Sequence, residues 1–296
     1  VVPSVTLLLP PTMMLRFTKM QGLGNDFVVF DGVRQTIALA PAELRALADR
    51  RFGVGCDQVL VVRPARDSAN DFSYQIFNGD GSEVEHCGNG ARCFARFVAE
   101  QGLSGRSELR VETVNRLLVL RRLEDGQVTV DMGIPALEPA ALPMQSDLAG
   151  PCQTIEVAGQ RLALTIVSMG NPHAVQRVVD VDQAPVTLQG PQLEQHPVFP
   201  GGVNAGFLQV LSRHEVRLRV WERGAGETLA CGTGACAAVA SGVVRSWLDS
   251  AVTVHMRGGD LHIEWAGPGA HLYMTGHAHS SFSGTVDPSA LSRNLP

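Results

Sequence analysis

Cys87-Gly88-Asn89-Gly90-Ala91-Arg92-Cys93 returns 144 residues later (231 − 87) as Cys231-Gly232-Thr233-Gly234-Ala235-Cys236. Each phrase follows an alternating, strand-like run. Each precedes a helix-like one, Phe94 to Glu100 in the first case and Ala237 to Val244 in the second. Each leading cysteine is therefore expected where a strand turns into a helix. The first turn of a helix carries unpaired N–H groups and partial positive charge, and glycines let an anionic ligand approach that backbone. A thiol placed there is biased toward thiolate. Two such corners facing one substrate would put a proton acceptor and a proton donor on its opposite sides.

The repetition extends beyond the cysteines. Phe77-Asn78 meets Trp221-Glu222 at the same offset, and Glu83 meets Glu227, each glutamate four residues before its cysteine. Asn25 meets Asn171 at 146 residues (171 − 25), as Gln58 meets Asn204. Four features in one order, all within two residues of a common offset, imply two similar halves about a pseudo-twofold axis. The polar turns of each half are expected to meet in a cleft. The class is α+β, or mixed α/β: two pseudo-symmetric domains of many short strands wrapped around helices.

At 296 residues the chain has room for two ordinary domains. A formal charge of −5, with both signs mixed throughout, gives no basic stripe for nucleic acid or an anionic membrane. No apolar run approaches the ~20 residues of a membrane span. Six irregularly spaced cysteines do not make a disulfide scaffold, so a cytoplasmic protein is expected. No Cys-x-x-Cys occurs, and His277 with His279 is a lone pair, so no metal site is expected. Lys19 is the only lysine. Pyridoxal phosphate chemistry needs a Schiff-base lysine, so cofactor-free chemistry is the better reading.

Leu15 to Lys19 reads as a strand, followed by the turn Gln21 to Asp26 and a second strand, Phe27 to Phe30. Pro41 opens a helix expected to end near Gly53. Strands are expected at Gln58 to Val62 and Phe72 to Ile76, and then at Leu109 to Glu112, Leu117 to Leu120 and Val128 to Asp131. Met132 to Pro151 is proline-rich and reads as a crossing between domains. Thr154 to Val157, Leu162 to Ser168, Gly206 to Val210, Val216 to Val220, Val252 to Met256 and Leu261 to Trp265 continue the strand pattern. Pro185 to Pro200 reads as a loop with one short helical piece. Residues 1–13 are expected to be an unstructured extension.

Removing the α-proton of an amino acid builds negative charge on Cα that spreads into the carboxylate, and amides aimed at that group stabilise it most in a closed, dry site. Inverting the centre requires a proton to leave one face and arrive on the other. Cys87 and Cys231 meet that demand if one is thiolate while the other is thiol. Asn25, Gln58, Asn78, Asn171 and Asn204 suit a substrate with further amino and carboxylate groups, since an amide both donates and accepts. Glu222 and Arg223 offer an ammonium site and a carboxylate fork.

In order and spacing, Gly22-Leu-Gly-Asn-Asp-Phe, the Cys87 phrase, Met169-Gly-Asn-Pro-His, Glu222-Arg-Gly-Ala-Gly-Glu-Thr and Ala230 with the Cys231 phrase resemble the diaminopimelate epimerase family. The resemblance runs from about Met14 to Gly284. It implies a cofactor-independent interconversion of LL- and meso-2,6-diaminopimelate in lysine and peptidoglycan precursor synthesis. It further implies Cys87 as proton donor and Cys231 as proton acceptor in the LL-to-meso direction, with His173 and Glu222 tuning the thiols. The implied substrate contacts are Asn25, Gln58, Asn78, Gly88, Asn89, Asn171, Asn204, Glu222, Arg223, Gly232 and Thr233. A homodimer is implied, as is a final segment from about His277 that returns to the first domain. That gives 14–131 with 277–296 as one domain and 132–276 as the other. Three positions depart from the family pattern: His86 before the first cysteine, Ala205 after Asn204, and Phe282 where a tyrosine aids the dimer.

Taken alone, a cysteine is ordinarily a small buried apolar residue, and Cys56, Cys93, Cys152 and Cys236 are read so. Asn25, Asn171 and Asn204 could be turn formers, and His173 an ordinary turn histidine. A phosphate-binding module would use the glycine-rich turns but leaves both leading cysteines unexplained, and neither turn ends in Gly-Lys-Ser/Thr. A thiol-disulfide protein would show closer cysteine spacing. The alternative enzyme is a proline or hydroxyproline racemase of the same two-cysteine class.

Overall fold

Phe27 to Phe30 and Val59 to Val62 are apolar at every position, the pattern of strands covered on both faces. In the computed structural model, which describes residues 14–84, 88–138 and 150–293, these runs lie side by side and are almost wholly buried. Glu85, His86, Cys87 and the crossing residues 139–149 fall outside the described residues, as do 1–13.

The first half runs β1 (Leu15–Gly22), β2 (Asn25–Asp31), α1 (Pro41–Ala48), β3 (Gln58–Pro64), β4 (Phe72–Asn78), β5 (Glu83–Val84), α2 (Gly88–Glu100), β6 (Glu108–Glu112), β7 (Leu117–Arg122) and β8 (Val128–Asp131). The chain then gives β9 (Cys152–Val157), β10 (Gln160–Ser168), β11 (Pro172–Arg177), α3 (Val186–Glu194), β12 (Asn204–Val210), β13 (Glu215–Glu222), β14 (Gly226–Glu227) and α4 (Gly232–Val244). It ends with β15 (Ala251–Met256), β16 (Gly259–Trp265), β17 (Leu272–Gly276), β18 (His279–Val286) and α5 (Pro288–Arg293).

Pairing runs β18-β1-β2-β3-β4-β6-β7-β8 and continues β17-β16-β15-β13-β12-β11-β10-β9, with β5 on β4 and β14 on β13. The order is mirrored about the β8/β17 pair. The registers repeat as well. Phe27 faces Gln58 on parallel strands, and 146 residues on His173 faces Asn204. Phe77 faces Glu83, and 144 residues on Trp221 faces Glu227. The strands that close the order are exchanged: β18, following β17, pairs with β1, while β9, beyond the crossing after β8, pairs with β10.

The halves are layered alike. Phe27 and Val29 join Leu60, Val62, Phe94 and Phe97 in one cluster, while Val28 and Phe30 join Leu44, Leu47, Val59 and Val61 in another. Strands β2 and β3 thus lie between α2 inside and α1 outside, alternate side chains serving each. In the second half Val175 and Leu208 face the α4 side, and Ala174 and Phe207 face α3. α4 is buried at ten consecutive-sided positions from Gly232 to Gly242 and nearly all apolar or small, as befits a helix enclosed by strands. The architecture is a sheet-dominated α+β fold. Among the described residues no helix is long and apolar enough to cross a membrane.

Some expectations need correction. α1 stops at Ala48, before Gly53, because the Asp49 carboxylate accepts the Arg51 and Phe52 N–H groups, each at 2.7 Å, and turns the chain. His173 is not an ordinary turn histidine: the bend after Met169 ends at Asn171, and β11 begins at Pro172, so His173 lies in a buried strand. Cys152 is exposed, not buried, because it starts the edge strand β9, whose alternate residues face outward.

Candidate active site

β13 ends at Glu222, a tight turn leads to β14, and the chain then enters α4 through Cys231. Cys231 is the N-cap of α4, with extended backbone (φ −119°, ψ 109°), and its Sγ accepts the Gly234 N–H at 3.3 Å. A Cβ on Gly234 would sit 3.1 Å from that sulfur and 3.0 Å from Val220 Cγ2, so a glycine lets the amide reach it. Thr233 Oγ1 is 3.6 Å from Sγ. The Glu222 carboxylate accepts the Thr228 hydroxyl and the Cys231 thiol.

Burial pushes the Cys231 thiol well above its ordinary pKa, and the Glu222 charge adds to the rise; Thr233 and the Gly234 amide oppose it. The thiolate bias expected of a helix N-terminus is thus present but outweighed. Cys231 is 4% exposed and next to an acid, where the neutral thiol is favoured. Glu222 is itself raised by burial, with Thr228 and Cys231 pulling the other way.

His173 is fully buried and its pKa is lowered to about 3 by burial and then by the Arg223 charge, so the imidazole is neutral. It reaches Cys231 only through a relay. His173 Nε2 lies 3.1 Å from Asn171 Oδ1, Asn171 Nδ2 donates to Thr233 Oγ1 at 3.3 Å, and Thr233 faces the sulfur. With Asn171 donating to it, Thr233 is left to direct its own proton at Cys231. Asn204 is a bracket between strands: Nδ2 donates to the Pro172 carbonyl at 2.9 Å and Oδ1 accepts the Arg223 N–H at 3.0 Å. The Arg223 guanidinium donates to the Gly201 carbonyl at 2.9 Å.

In the first half Gln58 and Asn78 are register partners at the ends of β3 and β4, and Gln58 Nε2 donates to Asn78 Oδ1 at 3.0 Å. Asn25 opens β2, and its Nδ2 donates to Asp57 at 3.3 Å. Cys87, the residue before α2, lies outside the described residues. Gly88 and Asn89 open the helix and are buried. Asn89 Oδ1 accepts from the fully buried Arg92 at 2.8 Å.

The two helix openings meet. A Cβ on Gly88 would lie 2.8 Å from Met274 Cε. One on Gly232 would lie 3.2 Å from Met274 Sδ and 3.7 Å from Asn89 Oδ1. Met274 of β17 therefore packs against the first residue of both helices, and a side chain at either place would have to displace its thioether. The geometry brings Cys231, Gly232, Thr233, Glu222, Asn171 and His173 into one cluster and puts Gly88 and Asn89 against it. Sequence reasoning missed Thr228, Asp57, Arg92 and Met274. Thr228 and Arg92 lie inside the quoted phrases, whereas Met274 carries no local signal.

The profile of the family described as diaminopimelate epimerase matches residues 17–138 and 165–280. The chain is 60% identical over 276 residues to a diaminopimelate epimerase of Laribacter hongkongensis, covering 93% of this chain and 99% of that protein. It is 58% identical over 275 residues to one of Aromatoleum aromaticum, with the same coverage. Among solved structures, a hydroxyproline epimerase from Agrobacterium vitis aligns with a TM-score of 0.67 at 18% identity, over 96% of each chain. A PhzF-family phenazine biosynthesis protein of Bacillus anthracis aligns at 0.66 and 15% identity, over 93% of this chain and 99% of that one. These last two likenesses carry the fold alone. The two-cysteine repeat, the mirrored strand order and this level of identity over nearly the whole length have one meaning: the chain belongs to the diaminopimelate epimerase family.

Proposed function

We propose that this protein interconverts LL-2,6-diaminopimelate and meso-2,6-diaminopimelate without a cofactor, in lysine and peptidoglycan precursor biosynthesis. The observation that carries the reading is Cys231, a buried N-cap thiol at a helix opening that lies against Asn89 and, across Met274, faces Gly88 of the other half. In the LL-to-meso direction the Cys231 thiolate takes the α-proton and becomes a thiol. Cys87 gives its proton to the opposite face of the same carbon and becomes a thiolate; the reverse direction exchanges the roles. Charge on the substrate carboxylate is met by the amides opening α2 and α4, at Gly88, Asn89, Gly232 and Thr233. Asn25, Gln58, Asn78, Asn171, Asn204, Glu222 and Arg223 hold the amino and carboxylate groups. Glu222 raises the Cys231 thiol, and His173, held neutral, acts on it through Asn171 and Thr233.

Independence from pyridoxal phosphate is supported by Lys19, the only lysine, whose Nζ is committed to Asp26 at 2.6 Å and to the Gly55 carbonyl. The pairing of β18 with β1 supports 14–131 with 277–296 as one domain and 132–276 as the other. We take the enzyme to be a cytoplasmic homodimer, and the half-exposed Phe282 on β18, edge-on to Phe17, suits a contact face.

The test is incubation with LL-diaminopimelate in D2O without added cofactor, with proline and hydroxyproline in parallel. The expected result is meso product from wild type and its loss in Cys87→Ser and Cys231→Ser. Turnover of proline alone, or full activity in either variant, would overturn the reading.

A further inference from the structure

Behind Asn25 stands a cluster of four charges. Arg50 Nη2 donates to Asp26 Oδ1 at 2.8 Å and to Asp57 Oδ1 at 2.7 Å, while its Nη1 donates to Asp26 Oδ2 at 3.0 Å. Lys19 Nζ binds the same Asp26 carboxylate and the Gly55 carbonyl. The two aspartates also clasp each other's backbone: the Asp26 N–H donates to Asp57 Oδ2 at 3.0 Å, and the Asp57 N–H to Asp26 Oδ1 at 2.8 Å. Two cations and two carboxylates balance. From the candidate-site side, Asn25 Nδ2 donates into the cluster, to Asp57 Oδ2 at 3.3 Å.

The scaffold does not require these charges. The second half makes the same parallel strand pair, β11 with β12, in the same register. There the position 147 residues on from Lys19 is the buried Ile166, that 146 on from Asp26 is Pro172, and that 146 on from Asp57 is the buried Val203. Asn171, the counterpart of Asn25, is held by Thr233 and His173 instead. A charge cluster that one half builds, and three of whose four members the other half replaces with apolar residues, serves something other than the strand pairing.

Its effect on the amide is directional. With Nδ2 committed to a carboxylate, the Asn25 amide is fixed in one of its two orientations. Gln58, the residue after Asp57, is arranged alike. Its Nε2 is given to Asn78, and its buried Oε1 has no hydrogen-bond partner among the described residues. The start of β3 thus offers an acceptor oxygen, and an acceptor recognises an N–H donor such as the ammonium of an amino acid.

We propose that Asp57, braced by Arg50 and Asp26, is a positioning residue that holds the Asn25 amide in one orientation for its contact with the substrate. The inference rests on Asn25 being a substrate contact. Its test is a double-mutant cycle of Asn25→Ala and Asp57→Ala on epimerisation of LL-diaminopimelate, with thermal unfolding measured for each protein. Asp57→Ala alone is expected to raise KM about tenfold with a smaller change in kcat, and to change KM less than about twofold when Asn25 is already alanine. Equal fold-changes in the two backgrounds would overturn the proposal and leave Asp57 a structural residue. Asp57→Ser keeps a polar side chain at the strand entry but is too short to carry the oxygen that holds Asn25, so it supplies the same cycle if the alanine variant does not fold. A wild-type KM in Asn25→Ala would instead overturn the substrate contact itself, and the inference with it.

Discussion

Thr233→Val removes one hydroxyl and keeps the shape of the side chain, which makes it the sharpest probe of the relay at Cys231. The hydroxyl accepts Asn171 Nδ2 at 3.3 Å and stands 3.6 Å from the sulfur, where its donation lowers the thiol pKa. A hydrogen bond to a charged group contributes about 1.5–3 kcal/mol, and each 1.36 kcal/mol in a barrier is tenfold in rate. Losing the donor to the thiolate should therefore lower kcat about ten- to a hundredfold. The sign of the pH effect follows from the charged form. A donor stabilises thiolate, its removal raises the thiol pKa, and the rise of rate with pH moves to higher pH. Deuterium uptake at Cα across a pH series reads both quantities. Thr233→Ser should retain most of the activity. Activity of the valine variant within twofold of wild type on an unmoved profile, or a serine variant as impaired as the valine, would refute the relay.

Glu222→Gln removes a charge that raises the Cys231 thiol, so the rise of rate should move to lower pH even as KM increases; a pH–rate profile of the variant checks the direction. Gly258→Ala would put a Cβ 1.9 Å from the Leu23 carbonyl, wedging the turn that leads to Asn25 away from β16. Thermal unfolding should show a loss of about 1–3 kcal/mol, and KM should rise. Cys152→Ser, on an exposed edge position, should change stability by less than about 0.5 kcal/mol and leave turnover intact.

Much of this architecture was legible because the repeat is written in chemically loud residues. Cysteine and glycine at a helix entry, asparagine in turns and glutamate four residues ahead fix an offset that the strand registers then keep. β18 was hard to read from residue pattern because its first five residues, His279 to Ser283, are all exposed, so no burial alternation marks it. α3 was reduced to a fragment because Pro191 sits inside it and Pro185 caps it. The raised pKa of Cys231 was not legible for a different reason. A helix N-terminus is visible in the sequence, but its burial and the approach of Glu222 come from packing between β13 and α4. Asp57 went unassigned because its meaning depends on Arg50 and Asp26, which the fold brings to it from other segments.

The account turns on hydrogen leaving one face of a carbon to one sulfur while the other sulfur delivers a different hydrogen to the opposite face. The most direct measurement follows the first turnovers of LL-diaminopimelate in D2O and locates the label by mass spectrometry in recovered substrate and in product. Two opposed thiols predict a solvent deuteron at the inverted centre of every meso molecule, while unreacted LL substrate stays unlabelled. Meso product that keeps its original α-hydrogen would mean a single base carrying the proton across, and would contradict the account.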